Sequence, residues 1–410
     1  MNVLRQKIEQ EIRERGPIPF SRYMELCLYD PELGYYSRNA KQFGKSGDFY
    51  TSSDVHAVFG RLLARQFDEM WRSLDSPEEI RLVELGPGRG LFAQDVLDWS
   101  EKKFPDLFRA LHYVLVERSP ALQERSKETL ARHLNSGRAE LTVAISPLDV
   151  SQGPAAERQQ STAHGASRRL DHSDNDAPKG RKNPGAHTIV FANEFFDALP
   201  VEILSPRGSL CIDIREGHCI ETWARPSPEE LEFLDRYSLH PMEDERVEVP
   251  LASQRHMNDI ASTIDRGFII AIDYGYSREE QLAGRHRGTL KAIREHSVSA
   301  NPYEAPGEQD ITADVNFTAL AVVAEKHDMQ AQKLVTQSQF LMGIGEATQF
   351  ADAFEGCRLP QERAKVALQL KHLVTPAGMG ESFHVLVASK GIAKERVSTL
   401  AGLNFAARLR

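Results

Sequence analysis

The run Leu82-Val83-Glu84-Leu85-Gly86-Pro87-Gly88-Arg89-Gly90 constrains the fold more than any other part of the chain. The apolar stretch from Ile80 to Leu85 predicts a strand buried on both faces, as in a parallel sheet. Glycines then occupy alternate positions, and Leu91 to Asp98 has helical spacing. Strand, glycine turn and helix in that order let a nucleotide lie against bare backbone in α/β proteins. The spacing selects the ligand. A dinucleotide fold requires Gly-x-Gly-x-x-Gly, and the last position of that pattern is Leu91 here. Glu-x-Gly-x-Gly-x-Gly, with its carboxylate at the strand end, suits a ligand carrying an amino group and a sulfonium. That points to S-adenosylmethionine. Gly-Pro-Gly also occurs in ordinary turns, but the strand before and the helix after favour a nucleotide site.

At 410 residues the chain is long enough for two domains, or for one with large additions. No apolar run approaches bilayer length, so no transmembrane segment is expected. Leu4, Ile8 and Ile12 alternate with Glu9, Glu11 and Glu14, which predicts an amphipathic surface helix. Such a segment is neither a signal peptide nor a transit peptide, so a bacterial, cytoplasmic protein is expected. The cysteines, Cys27, Cys211, Cys219 and Cys357, form no Cys-x-x-Cys pair and read as reduced thiols without a metal. Cys211 and Cys219 could face each other across a hairpin, although packed thiols are the preferred reading. His56, His286 and His296 lack metal-ligand spacing, and of the three His296 is a candidate for a pocket wall. A net charge of −9 argues against general nucleic-acid binding and is compatible with a cationic substrate.

Further apolar runs extend the sheet: Tyr113 to Glu117, Leu141 to Ile145, Thr188 to Asn193, and Phe268 to Asp273. Helical patterns such as Ala121 to His133 and Met257 to Ile264 separate most of them, so a parallel sheet covered on both faces is expected. Ser382 to Ala388, after a helix from Pro360 to His372, reads as one more buried strand, in the antiparallel position that closes such sheets. Residues 151–187 contain a single large aliphatic side chain, Leu170, and predict a disordered surface insertion. Leu204 to Arg225 predicts a β-hairpin turning at Glu216-Gly217. The stretch Glu229 to Glu248 carries eight acids against two arginines; it reads as a solvated face, with an acidic docking surface for a basic partner as the other reading.

Several blocks together resemble the MidA-type family of class I S-adenosylmethionine-dependent methyltransferases. They are Tyr29-Asp30-Pro31-Glu32-Leu33-Gly34-Tyr35-Tyr36, Gly47-Asp48-Phe49-Tyr50-Thr51-Ser52, the Glu84 to Gly90 turn, and Asn193-Glu194-Phe195-Phe196-Asp197-Ala198-Leu199-Pro200. Ile272-Asp273-Tyr274-Gly275, Gly288-Thr289-Leu290 and Pro376 to Glu381 follow. The chain departs from the family pattern at Ser53 and Asp54, and at Asp314 and Asn316. The resemblance implies an α/β, Rossmann-like fold with a seven-stranded, mostly parallel sheet and an added helical and β-hairpin subdomain. The expected division is an N-terminal helical region and cofactor lid (1–75), a methyltransferase core (76–203 and 262–392), the inserted subdomain (204–261) and a tail (393–410). It also implies S-adenosyl-L-methionine as cofactor and a protein partner presenting an arginine, such as a respiratory complex subunit; a homodimer is a further expectation. The other readings are a cofactor-binding assembly factor with weak or no catalysis, and a methyltransferase for another substrate class.

The residues also indicate roles. Gly86, Gly88 and Gly90 would let backbone approach the cofactor. Glu84 could reach its amino-acid portion, directly or through water. Glu117 ends the second strand, where an acidic residue accepts hydrogen bonds from both ribose hydroxyls, although it could be an ordinary strand-end carboxylate. Asp48 and Phe49 read as a lid over the cofactor or as a surface turn. Asn193, Glu194 and Asp197 leave a strand at its C-terminal end, where open α/β sheets bind ligands. If a helix starts there, Glu194 and Asp197 share a face and suit the planar fork of a guanidinium. Alternatively Asp197 caps that helix.

Overall fold

The computed structural model describes residues 2–38, 57–143, 187–284, 288–294, 297–299, 301–346 and 348–408, with residues 405–408 described by backbone only. The expected lid at Asp48, Phe49 and Tyr50, the residues His56, His286 and His296, and the insertion at 151–186 lie outside them.

The main sheet is built from β1 (Ile80–Leu85), β2 (Leu111–Val116), β3 (Ala139–Thr142), β4 (His187–Asn193), β5 (Arg266–Tyr276), β6 (Gln330–Ala331) and β7 (Phe383–Lys390). Their order across the sheet is β6-β7-β5-β4-β1-β2-β3. β5, β4, β1, β2 and β3 pair in parallel, and β7 runs antiparallel between β5 and β6. Two short strands add to the expected seven: Val315–Asn316 beside β5 and Val335–Thr336 beside β7.

Neighbouring residues on each strand point to opposite faces, and both faces are covered. Leu82 of β1 and Phe191 of β4 face the helices Ala57–Ser73 and Leu91–Lys103. Val83 and Val190 face the helices Leu251–Thr263 and Phe317–Glu325. Phe191 stacks on Phe92 at 4.5 Å between ring centroids and meets the edge of Phe67 at 5.7 Å. Large aromatics in such offset and edge contacts make this face of β4 a tightly packed region.

A second sheet carries the added elements. The expected hairpin is present: Gly208–Arg215 and His218–Ala224 pair antiparallel, with Glu216 and Gly217 both at positive φ, as a two-residue turn of the primed type requires. Cys211 stands opposite Thr222 and Cys219 opposite Ile214, so the two thiols do not face each other. Ile18–Pro19 from the N-terminal region pairs with the hairpin, Ile18 opposite Ile212. Leu4, Ile8 and Phe20 share one core with Ile203, Leu210 and Ile212. The N-terminal helices Val3–Arg15 and Phe20–Tyr29 and the inserted hairpin thus bury their apolar faces together. Among the described residues no helix is long and apolar enough to cross a membrane.

Phe191→Ala should lower the unfolding free energy by about 3–5 kcal/mol through lost burial and the cavity left between Phe92 and Phe67. Urea denaturation followed by tryptophan fluorescence measures it, and a loss under ~1 kcal/mol would show that this face repacks freely.

Candidate active site

β1, β2, β4 and β5 end on the same edge of the sheet, and one cavity of about 720 Å³ opens there. One side of it is the glycine turn. Gly86, Gly88 and Gly90 have φ of 64°, 57° and 73°, in the left-handed region that favours glycine. A Cβ on Gly88 would meet no protein atom within 4 Å and would stand in open space at the cavity wall. Gly90 does not line the cavity: it starts the helix Leu91–Lys103, and a Cβ there would press on Leu130 at 3.0 Å.

Two buried carboxylates flank the turn. The Tyr113 hydroxyl donates to Glu84 Oε2 at 2.7 Å. Burial pushes Glu84 up to about 8, helped by the charge of Glu117 and opposed by the Tyr113 hydroxyl. Glu117 accepts from the backbone N–H of Ser119 (2.8 Å) and of Gly88 (3.2 Å). Burial still pushes it up to about 7 against those donors. Both carboxylates line the cavity.

The opposite side of the cavity is the segment after β4. No helix starts there: Glu194 to Pro200 forms a turn, so Glu194 and Asp197 share no helical face and Asp197 caps no helix. The reason is Asp273, the residue sequence reasoning left without a role. Its Oδ2 accepts from the backbone N–H groups of Phe195 (3.2 Å), Phe196 (2.9 Å) and Asp197 (3.2 Å). Its Oδ1 accepts from the N–H of Tyr274 at 2.9 Å. Donors that would continue a helix are turned onto one carboxylate instead. Glu194 takes φ of 50° to enter this turn, and its N–H donates to Ile272 O at 3.0 Å. The usable signal was an aspartate ending a run as apolar as Phe268 to Ile272, since a buried charge needs donors.

Asn193, Glu194 and Asp197 all line the cavity. Asn193 Nδ2 donates to Glu194 Oε1 at 3.2 Å. Asn193 Oδ1 and Asp197 Oδ1 are buried with no hydrogen-bond partner among the described residues. Burial first, then neighbouring charge from Asp273 and Glu194, pushes Asp197 well above the usual carboxylate range. Asp273 is pushed the same way by burial and by Glu194. Four N–H donors stabilise the anion at Asp273, so a proton shared between the two rests on Asp197. The cavity continues onto the N-terminal helices: Tyr29 donates to Ala198 O at 2.9 Å and Tyr36 to Asp310 Oδ1 at 2.9 Å.

S-adenosylmethionine fits this donor set. The glycine turn leaves space against backbone, the Glu117 carboxylate is of the kind that accepts from ribose hydroxyls, and Asn193 Oδ1 has no donor among the described residues. Comparison with known proteins agrees. Residues 62–335 match a family described as “Putative S-adenosyl-L-methionine-dependent methyltransferase”. The Drosophila melanogaster protein arginine methyltransferase NDUFAF7 homolog, mitochondrial, is 31% identical over 95% of this chain and 85% of its own length. The Homo sapiens protein arginine methyltransferase NDUFAF7, mitochondrial, is 27% identical over 91% and 80%. A Burkholderia thailandensis protein crystallised with S-adenosyl-homocysteine superposes with a TM-score of 0.73 at 26% identity, covering 95% of this chain and 92% of that one.

Raised carboxyl groups give the stability a direction with pH. Folded Glu84 and Glu117 keep protons that the unfolded chain releases near pH 4.5, so stability is full below that pH and falls as pH rises toward about 7 and 8. The slope is at most about 1.4 kcal/mol per pH unit for each group. Glu84→Gln should flatten the curve, so that at pH 8.5 the variant melts above the wild type while at pH 5 it does not. Thermal melts across that range check it, and parallel curves would show that Glu84 is ionised in the fold.

Proposed function

This chain belongs to the S-adenosyl-L-methionine-dependent methyltransferase family, and from that footing we propose that it methylates the guanidinium of an arginine presented by a protein partner. A respiratory complex subunit is the partner class implied. One observation carries the reading: Asp197 keeps a buried carboxylate oxygen unpaired in the same cavity as the glycine turn, with Glu194 beside it. A planar cation with several N–H donors is the ligand that satisfies such a wall. When bound, S-adenosylmethionine supplies an electrophilic methyl group on its sulfonium.

The residues of the chain then have separate tasks. Glu84, Gly86, Gly88 and Glu117 hold the cofactor side, and Asn193 reaches it from the facing turn. Asp48 and Phe49 are the proposed lid, with Gly90 setting the helix start behind the turn. Glu194, aimed by Asn193, orients the guanidinium fork. The gap between a carboxylate and a guanidine is about nine pK units, or roughly 12 kcal/mol, so neither acid deprotonates arginine before bond formation. Glu194 takes the proton as the new N–C bond forms, and positioning supplies roughly 7–11 kcal/mol more. The N-terminal helices and inserted hairpin, joined in one core, form the proposed acceptor-facing unit. The free cysteines support a reducing, cytoplasmic setting; the relatives above are mitochondrial proteins.

Peptides carrying arginine or lysine in matched contexts, incubated with the cofactor and read by mass spectrometry, test this. Methylation should appear on arginine, and Glu194→Gln should slow it by about 10²–10⁴-fold without loss of S-adenosylhomocysteine binding. Methyl transfer to lysine alone, or an unaffected variant, would overturn the reading.

A further inference from the structure

The acidic side of the cavity does not end at the turn after β4. Asp310, on the short strand Asp310–Thr312, is only 4% exposed and lines the same cavity. Its segment is fastened to the turn, since the N–H of Ala313 donates to Asp197 O at 3.0 Å. The Tyr36 hydroxyl donates to Asp310 Oδ1 at 2.9 Å, while the Tyr36 carbonyl accepts from Ser119 Oγ at 2.8 Å. Ser119 in turn donates its N–H to Glu117. Tyr36 thus bridges the cofactor-side loop to the far carboxylate. Its ring lies 5.5 Å from that of Tyr29, and together they give this end of the cavity an aromatic wall.

A cluster of acids alone would be a structural curiosity. Here Asp197, 5% exposed, lines the cavity together with Glu194 and Asp310, and its buried Oδ1 has no hydrogen-bond partner among the described residues. The negative field at Asp197 comes from Asp273, Glu194 and Asp310 together. Carboxylates brought this close in a buried site are stable only with a cation among them or with shared protons.

We propose that Asp310 is a third carboxylate of the acceptor pocket, binding the cationic side chain opposite Glu194, and that Tyr36 is the positioning residue that aims it. This rests on the arginine reading above. Two acids fix the plane of a guanidinium; a third on another segment, beside a tyrosine wall, closes the pocket around its far edge. Discrimination against lysine follows, because the planar guanidinium offers five N–H donors around its edge and pairs bidentately with carboxylates, whereas the ammonium offers three from a single point.

The test uses N-acetyl-arginine methylamide and N-acetyl-lysine methylamide as probes, titrated into the full chain saturated with S-adenosylhomocysteine. Wild type should bind the arginine probe in preference. Asp310→Asn should weaken it by roughly 10- to 100-fold, as loss of a charge-assisted hydrogen bond does, with S-adenosylhomocysteine affinity and melting temperature unchanged. Tyr36→Phe should weaken it less, and the double variant should be no worse than Asp310→Asn, a non-additivity that a merely structural Tyr36 would not give. In peptide methylation, Asp310→Asn should raise KM far more than it lowers kcat. Full probe affinity in a folded Asp310→Asn, or additive losses, would overturn the inference while leaving the arginine reading in place. Absence of arginine preference in the wild type would sink both.

Discussion

The site depends on one buried carboxylate. Asp273, at the C-terminal end of β5, accepts four backbone N–H groups, three of them from the turn that follows β4. Each such donor, left unpaired in the interior, costs about 1–3 kcal/mol. The turn therefore has its shape because Asp273 collects its donors, and Glu194, whose N–H donates to Ile272 O, enters it with left-handed backbone. That shape does two further things. It presents Asn193, Glu194 and Asp197 to the cavity, and it offers Asp197 O to Ala313 and Ala198 O to Tyr29. The segment carrying Asp310 and the N-terminal helices both dock onto the main sheet through this turn.

The parallel sheet supplies the division of labour. β1 and β2 end in the glycine turn and Glu117; β4 and β5 end in the acidic turn and its anchor. The two pairs are adjacent strands, so a ligand resting on one turn meets the other across a single cavity. Burial raises the carboxyl groups on both sides. Beside the glycine turn Glu84 and Glu117 are surrounded by hydroxyl and N–H donors. In the acidic turn Asp197 has an oxygen with no partner among the described residues, which is costly unless a ligand brings a donor.

Much of the fold was legible in the sequence because parallel strands read as apolar runs and the glycine turn has few uses. Ile80 to Leu85, Thr188 to Asn193 and the Glu216-Gly217 hairpin turn appear where periodicity and turn chemistry place them. The turn after β4 was misread because Glu194 and Asp197 have helical spacing, and local spacing carries no information about Asp273, 76 residues from Asp197 in sequence. The pairing of Ile18–Pro19 with the hairpin was illegible for the same reason: two residues carry no strand pattern, and their partners lie far along the chain. Tyr36 stands out in sequence only as a member of a motif block; its meeting with Asp310 is a product of tertiary packing.

The central claim is that the glycine turn with Glu117 holds the cofactor, while the Asp273-anchored turn holds the acceptor. Calorimetric titration of S-adenosylhomocysteine into the wild type, Glu117→Ala and Asp197→Asn tests it directly. The account predicts that Glu117→Ala loses most of the affinity and Asp197→Asn keeps it. Unchanged binding to Glu117→Ala, or equal loss in both variants, would contradict it.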